Sequence, residues 1–146
     1  MSVFVDTNVI AYMRDVRNVQ KRLKARDWLV ELQNRNALVL NQQVLRETYR
    51  VLTEKLRLQP ASSIREAVRD LLSLATAPDG AELWELAWSL QDRYQTGWWD
   101  SLLLSSAITA GCRWFLTEDR GIPLSISEIV VVDAFSVDMG TVLQAI

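Results

Sequence analysis

The sequence predicts one three-layer α/β domain over residues 1–146, with helices flanking a central, mostly parallel sheet of about four or five strands. Short apolar segments alternate with longer helical patterns along the 146 residues, which is typical of parallel βαβ units. The segment IVVVD at 129–133 is apolar until its last residue, as expected for a strand buried on both faces. No linker divides the chain, and its length suits a single domain.

In the first half of the chain, two strands and two helices are predicted. Residues 2–6 are rich in strand-forming side chains, and the apolar run 37–40 is the second predicted strand. Residues 17–34 and 42–57 carry apolar side chains at helical spacing, namely Ala25, Trp28, Leu29 and Leu32, then Leu45, Tyr49, Leu52 and Leu56. We expect the surface near Trp28 and the 45–57 segment to supply apolar interface area.

Turn and capping residues divide the second half of the chain. Pro60 ends a helix, and Ser63 with Glu66 is predicted to form a capping box. The helix it begins would bury a stripe of Ile64, Val68, Leu71 and Leu72. Another helix is expected from Asp79-Gly80, with Leu83, Ala87, Leu90 and Tyr94 facing inward.

Gly97 is predicted to end that helix. Trp98-Trp99-Asp100 begins the next one, which runs to Gly111. Residues 113–117 and 129–133 are the third and fourth predicted strands. The strands and helices therefore interleave, as a parallel sheet requires.

Composition excludes several kinds of chemistry. The chain has no histidine, which removes Ser-His-Asp triads, imidazole acid–base catalysis and His-ligated zinc. Cys112 is the only cysteine, so no intrachain disulfide forms, as in a reducing cytoplasm. No apolar run is long enough to span a membrane and no signal peptide is visible. We therefore expect a cytoplasmic protein without a membrane partner.

Charge is distributed unevenly along the chain. Residues 1–73 carry 13 Lys and Arg against 8 Asp and Glu, a charge of +5, whereas residues 74–146 carry 3 against 10, a charge of −7. The basic excess clusters between residues 14 and 26. A run of this kind is usually a solvated helix face, but beside an acidic pocket it would suit a phosphate backbone.

Four carboxylates stand at or near junctions between elements. Asp6 ends the first strand, Asp100 lies in the first turn of a helix, Asp119 follows the strand that ends at Thr117, and Glu47 lies within the 42–57 helix. Each has an ordinary structural explanation when taken singly: Asp6 caps a helix, Asp100 interacts with a helix dipole, Asp119 is a turn residue and Glu47 is a helix former. Together they would meet at one sheet edge and repel each other unless a cation lay between them. All-oxygen ligation favours Mg²⁺ or Mn²⁺ over zinc.

Four sequence blocks resemble the PIN-domain family: VDTNVI near the start, LRE at 45–47, WDSLLLSSA at 99–107 and FLTED at 115–119. Within that family the chain looks like the VapC-type toxins of type II toxin–antitoxin pairs. The resemblance covers essentially the whole chain and implies a PIN-like fold. One departure is VDAF at 132–135, where relatives often carry an Asn-Pro-Phe-like ending.

The resemblance implies a metal-dependent ribonuclease that hydrolyses RNA phosphodiester bonds. The family's metal-binding and catalytic acids fall on Asp6, Glu47, Asp100 and Asp119, and its supporting polar residues on Thr7, Asn8 and Thr117. It also implies a cognate antitoxin protein and a homodimer. Mg²⁺ held by the aspartates would lower the pKa of a bound water, with Glu47 as a further ligand or proton acceptor.

Some alternatives stay open on the sequence. One metal ion or two could bind, and Glu118 is an alternative ligand, although its side chain points away if the segment is extended. A catalytically silent PIN-like RNA- or protein-binding module would be expected to lack an acid, and none is missing. Trp98 and Trp99 could stack on bases, but core and interface anchoring is favoured. In the basic run, Arg17, Lys21 and Arg22 are candidate RNA-facing residues.

Overall fold

A five-stranded sheet forms the centre of the protein in the computed structural model, which describes residues 1–146. Its strands are β1 (Val3–Val5), β2 (Leu38–Val39), β3 (Trp114–Thr117), β4 (Ser125–Ile126) and β5 (Ile129–Asp133), in the order β2-β1-β3-β5-β4. All neighbouring strands are parallel except β4, which pairs antiparallel with β5. The predicted fold class is confirmed, with β4 as an edge strand that the sequence pattern did not indicate.

Seven α-helices flank this sheet. They are α1 (Thr7–Tyr12), α2 (Val19–Asn34), α3 (Gln42–Arg50), α4 (Ala61–Leu71), α5 (Trp84–Tyr94), α6 (Trp98–Thr109) and α7 (Met139–Leu143). A π-helical segment, Val51–Leu56, continues α3. No helix is both long enough and apolar enough to cross a membrane.

The main core lies between the sheet and the helices, and it contains the predicted α2 stripe of Ala25, Trp28, Leu29 and Leu32. Phe4 and Phe115 stack across β1 and β3 with ring centroids 5.5 Å apart. Trp28 is fully buried, and its indole N–H donates to the Ala134 carbonyl at 2.8 Å. Leu45 and Leu52 are buried as well, so these side chains belong to the core, whereas α2 also carries the exposed apolar side chains Val19, Leu23 and Val30. The expectation of interface area near Trp28 and the 45–57 segment stays a prediction.

The capping box predicted at Ser63 and Glu66 is wrong. Helix α4 begins at Ala61 behind Pro60, and no side chain caps it. Ser63 already lies in the first turn, where its N–H donates to the Pro60 carbonyl at 3.0 Å. The backbone of Pro60 is extended, with φ −60° and ψ 145°, and this conformation suits the residue before a helix. The helix therefore begins earlier than the motif indicated.

Two further boundaries differ from the sequence prediction. Leu72 is 51% exposed because the α-helical spacing ends there in a 3₁₀ turn, so it does not extend the α4 stripe. Helix α5 ends through Gln95, whose φ of 57° is left-handed. Gly97 instead precedes α6 with an extended backbone. The helix stop expected at Gly97 is thus supplied two residues earlier.

Candidate active site

The parallel pairing of β1 and β3 brings Asp6 and Thr117 together at the carboxyl edge of the sheet. Val5 pairs with Leu116, so the next residue along each strand lies at the same edge. The Thr117 hydroxyl donates to Asp6 Oδ2 at 2.8 Å, and the Thr7 backbone N–H donates to Asp6 Oδ1 at 2.7 Å. Asp6 therefore caps α1 while both of its oxygens are held.

Asn8 and Thr117 tie the loop after β3 to helix α1. Thr117 Oγ1 accepts from Asn8 Nδ2 at 3.2 Å and from the Asp119 backbone N–H at 2.9 Å. Asn8 Oδ1 in turn accepts from the Glu118 N–H at 3.1 Å. Thr7 thus bonds Asp6 and Glu47, and Thr117 bonds Asp6 and the Asp119 backbone. Asn8 bonds none of the four predicted acids and reaches them only through Thr117.

Asp6, Asp100 and Asp119 line one open cavity of about 380 Å³. Asp100 lies in the first turn of α6 and is half-buried. Asp119 lies just beyond β3, where its carboxylate accepts from the Gly121 N–H at 2.8 Å. Three elements that are far apart in sequence therefore direct carboxylates into the same space.

Two carboxyl groups in this cavity, those of Asp6 and Asp100, have raised pKa values. Burial raises the pKa of Asp6 to about 6, against the opposing effect of its hydrogen bonds from Thr117 and Thr7, while the charges of Glu47 and Asp119 raise it further. Burial, followed by the negative charges of Asp119 and Asp6, raises the pKa of Asp100 to about 7. None of the protein's ion pairs includes Asp6, Glu47, Asp100 or Asp119, so these acids have no directly paired cation.

Glu47 lies at the rim of this cavity and faces a second cleft. Its carboxylate accepts from the Thr7 hydroxyl at 2.8 Å and from Gln43 Nε2 at 3.0 Å. Thr7 thus joins Glu47 to Asp6, since its backbone N–H bonds one carboxylate and its hydroxyl the other. The second cleft, of about 390 Å³, shares Thr7 and Val51 with the aspartate-lined cavity.

Glu118 also lines the aspartate cavity, but its carboxylate is already bound. It accepts from the Tyr12 hydroxyl at 2.9 Å and forms an ion pair with Lys21. Arg17, on the same wall, forms two 3.0 Å hydrogen bonds to Asp15. Of the candidate RNA-facing residues, Arg17 and Lys21 therefore lie near the cavity with acidic partners, and Arg22 has a buried Nε that lacks a hydrogen-bond partner.

The donor chemistry of the cavity fits a hard divalent cation. Asp6 is only 5% exposed and has no cationic partner, and the available ligands are carboxylate oxygens, which Mg²⁺ and Mn²⁺ prefer. As positioned, no three acidic, histidine or cysteine side chains form a closed ligand cluster. The residues that could hold such a cation are Asp6, Asp100 and Asp119, which line the shared cavity.

Gln43 was missed from the sequence, although it connects two parts of the site. Its Nε2 donates to Glu47 and, at 3.3 Å, to the Trp99 carbonyl. The i, i+4 spacing of Gln43 and Glu47 on one helix was the available signal. The two tryptophans also differ from each other. Trp98 packs with the tryptophans of α5, whereas Trp99 is 65% exposed and lines the second cleft, so core anchoring is wrong for Trp99.

The fold and the acidic sheet edge define an α/β domain with a carboxylate site, and comparison with known proteins gives its family. Residues 3–124 match the PIN domain, and the chain belongs to the PIN-domain family. A comparison with curated protein sequences gives no match.

A solved structure shares this fold. It is described as the crystal structure of VapBC2 from Rickettsia felis bound to a DNA fragment from their promoter. The similarity covers 90% of this chain and 98% of that chain, with a TM-score of 0.64 and 15% sequence identity. At that identity the likeness establishes a common fold.

Proposed function

We propose that this protein is a metal-dependent ribonuclease of the VapC type, the toxin of a type II toxin–antitoxin pair. The observation that carries the proposal is the cavity in which Asp6, Asp100 and Asp119 converge without any cationic partner. Membership of the PIN-domain family and the similarity to a VapBC2 structure support it.

In this proposal the three aspartates, with Glu47 at the rim, hold Mg²⁺ or Mn²⁺. The ion would supply a bound water of lowered pKa and would offset charge on the attacked phosphate. Thr117 and the Thr7 N–H fix the carboxylate of Asp6, so its orientation does not depend on the ligand. Thr7 and Gln43 orient Glu47, which completes the ligand set or accepts the proton of the attacking water.

The rival function is a catalytically silent PIN-like module that binds RNA or protein. Clustered carboxylates would be a disadvantage to such a module, because their mutual repulsion destabilises the fold and weakens phosphate binding. All four acids are present: Asp6, Asp100 and Asp119 line the aspartate cavity, and Glu47 lines the adjoining cleft. The nuclease is therefore the favoured function.

A cleavage assay tests the nuclease. Purified protein is incubated with single-stranded RNA and Mg²⁺ or Mn²⁺, with EDTA and the Asp119→Asn variant as controls. We expect cleavage by the wild-type protein only, and only with the metal. A silent module would bind RNA and leave it intact under every condition.

The proposed partners are RNA, a cognate antitoxin and a second copy of the chain. Exposed apolar side chains that association could cover lie on α2 (Val19, Leu23 and Val30) and on α5 (Trp84 and Trp88). Light scattering of the purified protein tests the homodimer. A small DNA-binding protein encoded immediately upstream would support the antitoxin, and its absence would leave the nuclease proposal standing.

A further inference from the structure

A second cleft opens beside the aspartate cavity and differs from it in charge. Its wall includes Gln43, Arg46, Glu47, Arg50, Lys55 and Trp99. The two spaces adjoin, because Thr7 and Val51 line both of them. An extended polymeric ligand bound in the aspartate cavity can therefore continue directly into this cleft.

Trp99 gives the cleft an exposed aromatic wall. Its side chain is 65% exposed, although it directly precedes Asp100 at the start of α6. Its backbone is nevertheless fixed, since the Trp99 carbonyl accepts from Gln43, which also binds Glu47. An indole ring on a fixed backbone, left open to solvent beside a reactive site, is suited to stacking on a flat apolar ligand surface.

The three cations of the cleft lie on α3 and on the π-helical segment that follows it. Arg46 and Arg50 are one helical turn apart on the same face. They pair with Asp79 at 2.8 Å and with Glu54 at 3.4 Å, but both arginines are exposed, and such surface pairs are weak and readily exchanged. Lys55 forms no ion pair.

In the basic run of residues 14–26, the two cations nearest the aspartate cavity are already paired. Arg17 is bound at two atoms by Asp15, and Lys21 is paired with Glu118. In the second cleft, Glu47 is the only acidic side chain on a wall that has three cations. The cleft is therefore the positively charged surface that adjoins the carboxylates.

We propose that this cleft binds single-stranded RNA on one side of the cleaved phosphate, a subsite that rests on the proposed nuclease function. One unpaired base stacks on Trp99, and the flanking phosphates contact Arg50 and Lys55, with Arg46 at the outer edge. A single strand is required because a base within a duplex has no free face for the indole. An aromatic platform interleaved with cations is the usual means by which proteins bind single strands without a base code.

The test measures RNA binding without catalysis. A fluorescent, unstructured oligoribonucleotide is titrated with protein in EDTA, and binding is followed by anisotropy. Trp99→Ala should weaken binding roughly ten-fold, the loss of one stacked base, and Trp99→Phe should recover most of it. Trp88→Ala is the matched control, because Trp88 is also about half exposed (46%) and lies outside the cleft.

The cations are tested by the salt dependence of the same binding. Arg50→Gln with Lys55→Gln should reduce the slope of log affinity against log salt by about 1.4, from two lost phosphate contacts. Arg26→Gln with Arg69→Gln removes the same charge from exposed positions outside both spaces and should leave the slope unchanged. Thermal unfolding verifies that each variant is folded.

Unchanged affinity in Trp99→Ala together with an unchanged slope in the double variant would overturn the subsite, as would duplex RNA binding as tightly as a single strand. An absence of wild-type binding would overturn it too. These results are separable from failure of the nuclease. If the variants lose binding as expected but the wild-type protein never cleaves RNA, the RNA-binding subsite is supported and the nuclease proposal is rejected. If the wild-type protein cleaves RNA and the variants bind normally, the nuclease stands alone.

Discussion

The Thr117 hydroxyl has a single proton, and its neighbours determine where that proton points. It accepts hydrogen bonds from Asn8 and from the Asp119 N–H, so the proton is directed to Asp6 Oδ2. Thr117 is fully buried, and water cannot replace these contacts. One side chain thus joins strand β3, helix α1 and two acids of the site.

Replacing Thr117 by Val keeps the shape of the side chain and removes its oxygen. The Asn8 amide and the Asp119 N–H then lose their acceptor, and Asp6 loses one of its two donors. We expect the free energy of unfolding to fall by about 1–3 kcal/mol and RNA cleavage to decrease. Urea unfolding and a cleavage assay measure both. Thr117→Ser is the control and should retain most of both properties, whereas equal loss in Ser and Val would show that the methyl group matters instead.

Asp6→Asn and Asp100→Asn should each abolish cleavage while the fold persists, because an amide keeps the shape and removes the charge that a metal needs. Without metal, Asp100→Asn should also raise the melting temperature at neutral pH, since it removes a charge that burial and Asp119 disfavour. Cleavage with Mg²⁺ and calorimetric melting in EDTA provide the measurements. Wild-type cleavage rates in either variant would refute the proposed site.

At the scale of elements, the ends of β1 and β3 and the first turn of α6 bring carboxyl groups together more closely than their charges favour. In the metal-free protein this has a consequence for stability. In the folded protein the pKa values of Asp6 and Asp100 are about 6 and about 7, whereas the ordinary pKa of an aspartate is 3.8. Above about pH 4 these two side chains therefore keep protons that they lose in the unfolded chain. The folded state therefore binds more protons between about pH 4 and pH 7, and the free energy of unfolding falls as pH rises through that window.

We therefore expect metal-free protein to melt at a lower temperature at pH 7.5 than at pH 5. Asp6 alone should contribute on the order of 1 kcal/mol to this difference. Adding Mn²⁺ should raise the melting temperature more at pH 7.5 than at pH 5, because the ion competes with the protons. Scanning calorimetry in EDTA and in Mn²⁺ tests both statements. The Asp100→Asn variant is the control and should show a smaller pH dependence, and equal metal stabilisation at both pH values would contradict the coupling.

The sequence predicts more of the whole molecule than of the site. Strand and helix patterns identified the parallel sheet, and parallel edges brought the aspartates together, because both depend on local periodicity and simple geometry. Helix α1 has only six residues, which are too few for a periodic pattern to reveal it. The first residue of α4 was mispredicted because it depends on the backbone conformation of Pro60. The place of Glu47 in a neighbouring cleft and the pairing of Lys21 with Glu118 depend on side chains far apart in sequence. No local pattern records such contacts.

At the scale of the whole molecule, the proposed inhibition by an antitoxin would act on the same unpaired acids. The only cation that lines the aspartate cavity, Arg17, is bonded to Asp15. An arginine of the partner could therefore bind the free carboxylates of Asp6, Asp100 and Asp119 at two atoms. We expect the antitoxin to insert such a side chain and to displace both metal and RNA. Replacing Asp100 and Asp119 by Asn should therefore weaken antitoxin binding by at least about ten-fold in calorimetric titration. Glu54→Gln with Glu66→Gln removes two exposed charges outside the cavity and should leave the affinity unchanged. Equal affinity for the wild-type protein and the aspartate variant would mean that the antitoxin binds elsewhere and that inhibition does not act through the acids.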